Sequence, residues 1–256
     1  MTEKVEFLGL KINPWGFQTF LEKIEENIVS RKHHQQVSSV NGAIAVYAQK
    51  DDQLKRAINN SFYVNADGMS VVWGMRFLGH KIPERVSCPE LFDKLISLCE
   101  TKGYKPFFLG ADKSIVQKTT ENLRKKHPVL KIAGFRDGYF SKDEEDEVAL
   151  EIKNSGADML FLGIPSPKKE LFVEKFLKVM DVPFTFGVGG VFDIIAGKTK
   201  RAPIWMQKIG LEWLYRFSQE PKRMWKRYLI TNILFIYFIF LSKFKRITNF
   251  KDRSCG

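Results

Sequence analysis

The chain has 256 residues, of which 44% are hydrophobic and 27% charged, and its formal net charge is +12. This composition is typical of a folded globular protein and argues against a disordered or low-complexity chain. Three cysteines without a Cys-x-x-Cys pair argue against a disulfide framework. The N-terminal segment MTEKVEFLGLKINPWG lacks a secretory-signal pattern, so we expect a protein of the reducing cytoplasm.

Strand-like and helix-like segments alternate through the first 200 residues. The pattern predicts strands at 35–40, 61–67, 105–110, 129–135, 158–164 and 183–190. It predicts helices at 43–50, 52–58, 68–77, 89–101 and 111–126, and a helix rich in Asp and Glu between 135 and 158. Apolar strands alternating with helices predict an α/β fold with a Rossmann-like, open, mostly parallel sheet and flanking helices. In such sheets, ligands bind beyond the carboxyl ends of the strands.

The sequence changes in character after residue 200. We therefore predict a catalytic domain over 1–200 and a basic, aromatic-rich helical extension over 201–256, with helices at 204–217 and 222–241 separated by Pro221. The extension contains 12 Lys or Arg and 3 Asp or Glu, whereas the preceding part is nearly balanced. A basic extension predicts an anionic partner, such as phospholipid, nucleic acid or an anionic substrate.

An apolar run, YLITNILFIYFIFL at 228–241, lies between two basic segments. At about 1.5 Å per residue it is roughly 20 Å long, too short to span a membrane core of about 30 Å. Its basic and aromatic flanks predict contact with an anionic membrane surface through 222–246. A buried core helix or an oligomer interface is the alternative, and the sequence leaves open whether the chain forms a homo-oligomer.

A glycine-rich turn follows the last predicted strand. Gly187, Gly189 and Gly190 precede a helix that begins near Val191, so exposed backbone N–H groups could bind a phosphate there. Asp193, in the first helical turn, could accept a hydrogen bond from a ribose or a base. The alternative is a tight structural turn with Asp193 as a favourable charge at the start of the helix.

Four segments, in order and with compatible spacing, carry a family resemblance. They are SVN at 39–41, NADGMSVVWGMRFLGHKIPERV at 65–86, FLGIPSPKKE at 161–170, and GVGGVFDIIAGKTKRAP with its continuation to 229. Together they resemble the WecG/TagA/CpsF glycosyltransferases over roughly residues 5–230.

The resemblance implies an inverting, metal-independent transferase that needs no cofactor. It would move an N-acetylmannosamine-type or related sugar from a UDP donor to a polyprenyl-diphosphate-linked acceptor. The products belong to bacterial teichoic acid, common antigen, exopolysaccharide or capsule synthesis. The enzyme would be peripheral on the inner face of the plasma membrane.

The resemblance also implies a catalytic base. Asp67 matches the family's proposed base, which takes a proton from the acceptor hydroxyl. Without the resemblance, the spacing favours Asp67 as the cap of the helix that starts at Gly68. The sequence Cys88-Pro89-Glu90 departs from the usual Gly-x-Asp run, which puts the identity of the donor sugar in doubt.

Further site residues follow from the same comparison. Ser39 and Asn41 match a Thr-x-Asn strand end, with Ser keeping the hydroxyl group. Lys169 and Glu170 match a Gln-Glu pair beside the nucleotide. The charge of Lys169 could favour an anionic group or simply point to water.

Cations are expected where the substrates carry diphosphate. Arg85 is one candidate, and Arg216 and Arg223 in the extension are others, placed toward the leaving group and the acceptor diphosphate. All three could instead be solvated surface charges. The acidic run Asp143–Glu147 opens a solvated helix, and the four histidines lack ligand spacing, so we predict no metal site.

Two other classes of protein remain as alternatives. A nucleic-acid-binding protein could use the basic extension, but its basic residues bracket an apolar run instead of lining a polar face. A Rossmann-type oxidoreductase would need a Gly-x-Gly-x-x-Gly opening and an acidic ribose ligand, which the sequence lacks. We therefore expect no nucleic acid as partner.

Overall fold

A computed structural model describes the backbone of residues 3–30 and 34–254, and their side chains except those of 30, 223, 224, 226, 227 and 246–254. The strands in this part are β1 (Val5–Phe7), β2 (Leu10–Ile12), β3 (Gln35–Val40), β4 (Tyr63–Ala66), β5 (Pro106–Gly110), β6 (Gly134–Arg136), β7 (Met159–Gly163) and β8 (Phe184–Gly187). The helices are α1 (Phe17–Ser30), α2 (Gly42–Tyr47), α3 (Asp52–Asn60), α4 (Met69–Phe77), α5 (Cys88–Lys102), α6 (Lys113–Lys126), α7 (Glu145–Asn154), α8 (Lys168–Met180), α9 (Val191–Ile195), α10 (Ile204–Lys208), α11 (Glu212–Gln219) and α12 (Pro221–Ser254).

The main sheet has six strands in the order β4-β3-β8-β7-β5-β6, and each neighbouring pair is parallel. Every residue of β5 and β7 is buried, as expected for strands covered by helices on both faces. The predicted fold class, an α/β protein with an open parallel sheet, is therefore confirmed.

Both faces of the sheet carry an apolar core. One face packs phenylalanine rings such as Phe92, Phe108, Phe161 and Phe192 against each other, with ring centroids 4.9–6.3 Å apart. Aromatic pairs at these separations contribute beyond their buried area. The core thus fixes the strand ends and, with them, the loops that follow each strand.

Several elements differ from the sequence-based expectation. The hairpin of β1 and β2 and the helices α1 and α8 were not predicted. The helix predicted at 204–217 is divided into α10 and α11, because Gly210 adopts a left-handed φ of 74° between them. The helix predicted at 222–241 is longer and runs from Pro221 to Ser254.

The long helix α12 contributes to the core as well as to the surface. Phe235 and Ile239 are each 7% exposed and pack against Phe7 and α2. Gly74 on α4 allows this approach, since an added Cβ there would lie 2.7 Å from Cδ1 of Ile239. The other side of α12 is exposed, and Ile233 on that side has 61% of its surface accessible.

The helix α12 extends beyond the apolar run at 228–241. By length and composition, one helical segment in the described chain could cross a membrane: Tyr228–Lys245, with 18 residues and a mean hydropathy of 1.4. The apolar run at 228–241 keeps its predicted length, and the segment meets this criterion because α12 continues beyond residue 241.

Candidate active site

The predicted site residues come from adjacent strands of the parallel sheet. Asn41 directly follows β3, Asp67 follows β4, and Gly187 ends β8. These three strands are neighbours in the order β4-β3-β8, so their carboxyl ends meet at one edge of the sheet. This edge is where open α/β sheets bind ligands.

Asp67 is held by the N-terminus of a helix that lies distant in sequence. Its Oδ1 accepts a hydrogen bond of 3.1 Å from the backbone N–H of Cys88, the first residue of α5. The N-cap of α4 is Gly68, and α4 has no side-chain cap hydrogen bond. The alternative in which Asp67 caps α4 is therefore wrong.

The carboxyl of Asp67 has a raised pKa, about 6. Burial is the main cause, and the nearby Glu212 carboxylate acts in the same direction. The Cys88 N–H, Arg85 and Arg201 oppose them by stabilising the ionised form. A carboxyl with a pKa near neutrality can take a proton in turnover and release it again.

Ser39 and Asn41 have separate local roles. The Ser39 Oγ donates to Oδ1 of Asn65 at 2.8 Å, and the Asn65 amide donates to the Val86 carbonyl at 2.7 Å. Ser39 thereby links β3, β4 and the segment before α5. The side-chain oxygen of Asn41 accepts from the Ile44 N–H at 3.1 Å, so Asn41 is the N-cap of α2.

Cys88 connects Asp67 to the glycine turn. Its thiol lies 3.6 Å from the Gly187 carbonyl oxygen and 3.7 Å from the Ser39 Oγ. Burial raises the pKa of this thiol, with a further contribution from the Asp67 charge, so it remains protonated. Cys88 is therefore a packing and hydrogen-bonding residue at the centre of the site.

Arg85, which lies close to Asp67, forms hydrogen bonds with residues of the extension. Its Nη1 donates to Oε2 of Glu212 at 2.8 Å, and its Nη2 donates to Oε1 of Gln207 at 3.2 Å. Glu212 also lies 3.6 Å from Nε of Arg201, whose Nη2 donates to Glu90 at 2.5 Å. Arg85 is thus a half-buried member of an ionic cluster, and the surface-charge alternative is wrong for it.

Sequence reasoning missed Arg201 and Glu212 as site residues. Both lie in the segment that carries the family resemblance, which is the one signal in the sequence that could have identified them. Their pairing with Arg85 depends on how α10 and α11 fold back over the sheet edge, and no spacing rule predicts that.

The structure brings Arg216 to the glycine turn. An added Cβ at Gly190 would lie 2.1 Å from Nη2 of Arg216 and 3.1 Å from its Cζ, so the guanidinium rests directly on the Gly190 backbone. Gly189 has a left-handed φ of 55°, which favours glycine there. The Arg216 Nε is buried without a hydrogen-bond partner. A cation and a glycine turn therefore meet at one place.

Lys169 and Glu170 form a buried ion pair at the start of α8. The Lys169 ammonium contacts the Glu170 carboxylate and the Ser166 hydroxyl, and its side chain lies against Gly187. The alternative in which Lys169 points to water is wrong. Glu170 Oε2 has no hydrogen-bond partner, and the pair borders a cavity of about 10 Å³, roughly the size of one water molecule.

The remaining candidate residues lie further out or outside the described side chains. Asp193, in α9, accepts backbone hydrogen bonds from Lys198 and Thr199 at its carbonyl, and its carboxylate lies 3.5 Å from the Lys198 ammonium. The side chain of Arg223 lies outside the described residues. Among the described residues, no three His, Cys, Asp or Glu side chains gather as metal ligands.

Comparison with known proteins connects this site to one family. The family model described as "Glycosyl transferase WecG/TagA/CpsF family" matches residues 5–249. A similar protein from Bacillus subtilis (strain 168) is 31% identical over 211 residues, covering 82% of this chain and 81% of the relative. A second, from Bacillus spizizenii, is 30% identical over the same shares. Both are named N-acetylglucosaminyldiphosphoundecaprenol N-acetyl-beta-D-mannosaminyltransferase.

These matches decide between the classes that the sequence left open. The match spans the sheet, the glycine turn and most of the extension. It favours glycosyl transfer over a nucleic-acid-binding protein and over an oxidoreductase. The chain belongs to the WecG/TagA/CpsF family of glycosyltransferases.

Proposed function

We propose that this enzyme is an inverting, metal-independent glycosyltransferase. It transfers an N-acetylmannosamine-type sugar from UDP to N-acetylglucosamine carried on a polyprenyl diphosphate. The names of the two relatives support the sugar and the acceptor. The observation that carries the proposal is the position of Asp67, linked through Cys88 to the glycine turn and flanked by Arg85.

The reaction is a single displacement. The acceptor hydroxyl oxygen attacks the anomeric carbon, and the bond from that carbon to the UDP oxygen breaks. Asp67 takes the hydroxyl proton as the new bond forms. Because attack and departure occur on opposite faces of the sugar, the anomeric configuration is inverted.

The departing UDP gains negative charge that donors must stabilise. We propose that the turn at Gly187–Gly190 presents N–H groups to the diphosphate, while Arg216 supplies the cation. An arginine fork suits phosphate oxygens and needs no metal ion. Asp193, Lys169 and Glu170 are proposed to shape the nucleotide side, with the Lys169 charge neutralised by Glu170.

Membrane contact follows from the acceptor, whose lipid chain remains in the bilayer. The exposed apolar residues of α12 and the basic residues around them support a peripheral position on an anionic surface through 222–246. Access to a UDP-sugar pool would place the enzyme on the cytoplasmic face of the bacterial plasma membrane.

A screen of UDP-sugars tests the function. Wild-type protein is incubated with each UDP-sugar and a short-chain polyprenyl-diphosphate-linked N-acetylglucosamine, and UDP release and disaccharide formation are both measured. We expect the highest rate with UDP-N-acetylmannosamine, and we expect the rate to persist in EDTA. No disaccharide with any UDP-sugar would contradict the proposal, and a strict requirement for a divalent metal would contradict its metal-independent part.

A further inference from the structure

Two arginines beside Asp67 share the Glu212 carboxylate, and Glu90 Oε1 also lies 4.0 Å from Nη2 of Arg85 and 2.5 Å from Nη2 of Arg201. Glu212 Oε2 accepts from Nη1 of Arg85 at 2.8 Å, and Glu212 Oε1 lies 3.6 Å from Nε of Arg201. Arg201 Nε is buried and has no hydrogen-bond partner. The two guanidiniums come from parts of the chain that are far apart in sequence: Arg85 precedes α5, and Arg201 precedes α10.

We propose that Arg85 and Arg201 form the subsite for the acceptor diphosphate, and that Glu212 occupies it as an exchangeable internal counter-ion until the acceptor binds. The proposal rests on the proposed function, because it takes the acceptor to carry a diphosphate.

The contacts within the cluster support exchange. The Glu212 side chain is 30% exposed, so a ligand can reach the site it occupies. Arg201 is also held by Glu90 and by Oγ of Ser87 at 3.1 Å, and Arg85 by Gln207, so both arginines remain oriented when Glu212 leaves. Paired guanidiniums then present several N–H donors to phosphate oxygens.

Glu212 keeps one favourable interaction when an anion displaces it from the guanidiniums. It is the first residue of α11, and a carboxylate near a helix N-terminus is stabilised by the helix dipole. An anion that takes over the two guanidiniums therefore does not leave Glu212 as an uncompensated buried charge.

Position assigns this subsite to the acceptor and not to the donor. Arg85, Arg201 and Glu212 all lie close enough to Asp67 to alter the pKa of its carboxyl. The base must contact the acceptor hydroxyl, and the acceptor diphosphate is only one sugar ring away from that hydroxyl. For the donor diphosphate we propose a different cation, Arg216, whose guanidinium lies against Gly190 in the glycine turn.

Binding of two diphosphates to variants tests the exchange. Geranyl diphosphate stands for the acceptor and UDP for the donor, and the affinity of each for the full-length protein is measured by calorimetry. Arg201→Gln should lower the affinity for geranyl diphosphate about 10- to 100-fold. Glu212→Gln should raise the affinity for geranyl diphosphate about two- to fivefold, because the competing charge is removed. UDP affinity should change little in either variant.

The opposite signs separate exchange from a structural ion pair. If Glu212 only stabilises the position of the extension, both substitutions remove the same ion pair. Both should then lower the affinity for geranyl diphosphate. That result would overturn the proposal, as would a selective effect on UDP, which would assign the subsite to the donor. Glu147→Gln, which removes a partner of Arg136 on β6 at the far sheet edge, is the matched control and should change neither affinity.

The binding measurement does not depend on turnover. If wild-type protein transfers no sugar but Glu212→Gln still strengthens geranyl diphosphate, the proposed function fails and the subsite remains. If sugar transfer is observed but both variants weaken the ligand, the function stands and the exchange is rejected.

Discussion

The backbone N–H of Cys88 donates a hydrogen bond of 3.1 Å to Oδ1 of Asp67, so the first residue of α5 orients a carboxylate that follows β4. This contact joins two segments that are 21 residues apart. A helix N-terminus stabilises negative charge, which offsets part of the cost of burying the Asp67 carboxylate. The base is thereby fixed in direction and can be ionised near neutral pH.

Activity should decline in acid as Asp67 becomes protonated. Its carboxyl pKa is about 6, raised mainly by burial and by Glu212, and opposed by the Cys88 N–H, Arg85 and Arg201. The ionised form is the base, so kcat/KM should fall about tenfold for each pH unit well below 6. A pH profile of kcat/KM measures this, and a profile that is flat between pH 4.5 and 7 would contradict the assignment.

Stability should show the opposite dependence on pH. The folded-state pKa of Asp67 is above the ordinary aspartate value of 3.8, so the folded state favours the protonated carboxyl. The resulting stabilisation is complete below about pH 4 and is lost as pH rises through about 6. Comparing urea unfolding of wild type and Asp67→Asn across this range isolates it, because the variant lacks the titration.

Gly190 and Arg216 should be energetically coupled. Gly190→Ala places a Cβ where Nη2 of Arg216 lies, so it should displace the guanidinium. The affinity for UDP should then fall about tenfold or more. In an Arg216→Ala background, the same glycine substitution should have little further effect. A double-mutant cycle on UDP affinity measures this. Additive losses would show that the two residues act separately.

Part of this site could be predicted from sequence, because it depends on strand ends. Asp67 and Gly187 follow apolar strands, and parallel strands bring their carboxyl ends to one edge. The cluster of Arg85, Arg201 and Glu212 could not be predicted, since its contacts join segments that are far apart in the sequence and that no spacing rule relates. The burial of Phe235 could not be predicted either, because the run around it is apolar on every side of the helix and so does not indicate which side is buried.

Truncating α12 would therefore disturb the fold, and Phe235→Ala measures how far. Phe235 is 7% exposed and packs against Phe7, so its removal should lower the free energy of unfolding by about 3–5 kcal/mol. Ile233→Ala, on the exposed side of the same helix, should cost less than about 0.5 kcal/mol. Urea unfolding compares the two, and equal small losses would show that α12 does not belong to the core.

The exposed side of α12 should carry membrane binding without carrying turnover. Serine is introduced together at three exposed positions of the helix, Leu229, Ile233 and Phe240. Binding to phosphatidylglycerol vesicles should fall about tenfold or more, because it depends on inserted apolar area. Turnover on a water-soluble acceptor should remain close to wild type.

A matched triple variant controls for the loss of exposed apolar area in general. It carries serine at three exposed positions outside α12: Val129, Leu150 and Val179. Its vesicle binding should be unchanged. Equal losses in both triple variants would show that α12 is not a specific membrane surface.

The most direct test of the account is sugar transfer by wild type and Asp67→Asn, followed by mass spectrometry of the lipid-linked product and NMR of its new glycosidic bond. Wild type should convert the acceptor to a disaccharide with inverted anomeric configuration. Asp67→Asn should bind UDP normally and turn over about 10²–10⁴-fold more slowly. The exposed Asp52→Asn variant serves as control. Retained configuration in the product, or near wild-type turnover by a folded Asp67→Asn protein, would contradict the central role of Asp67.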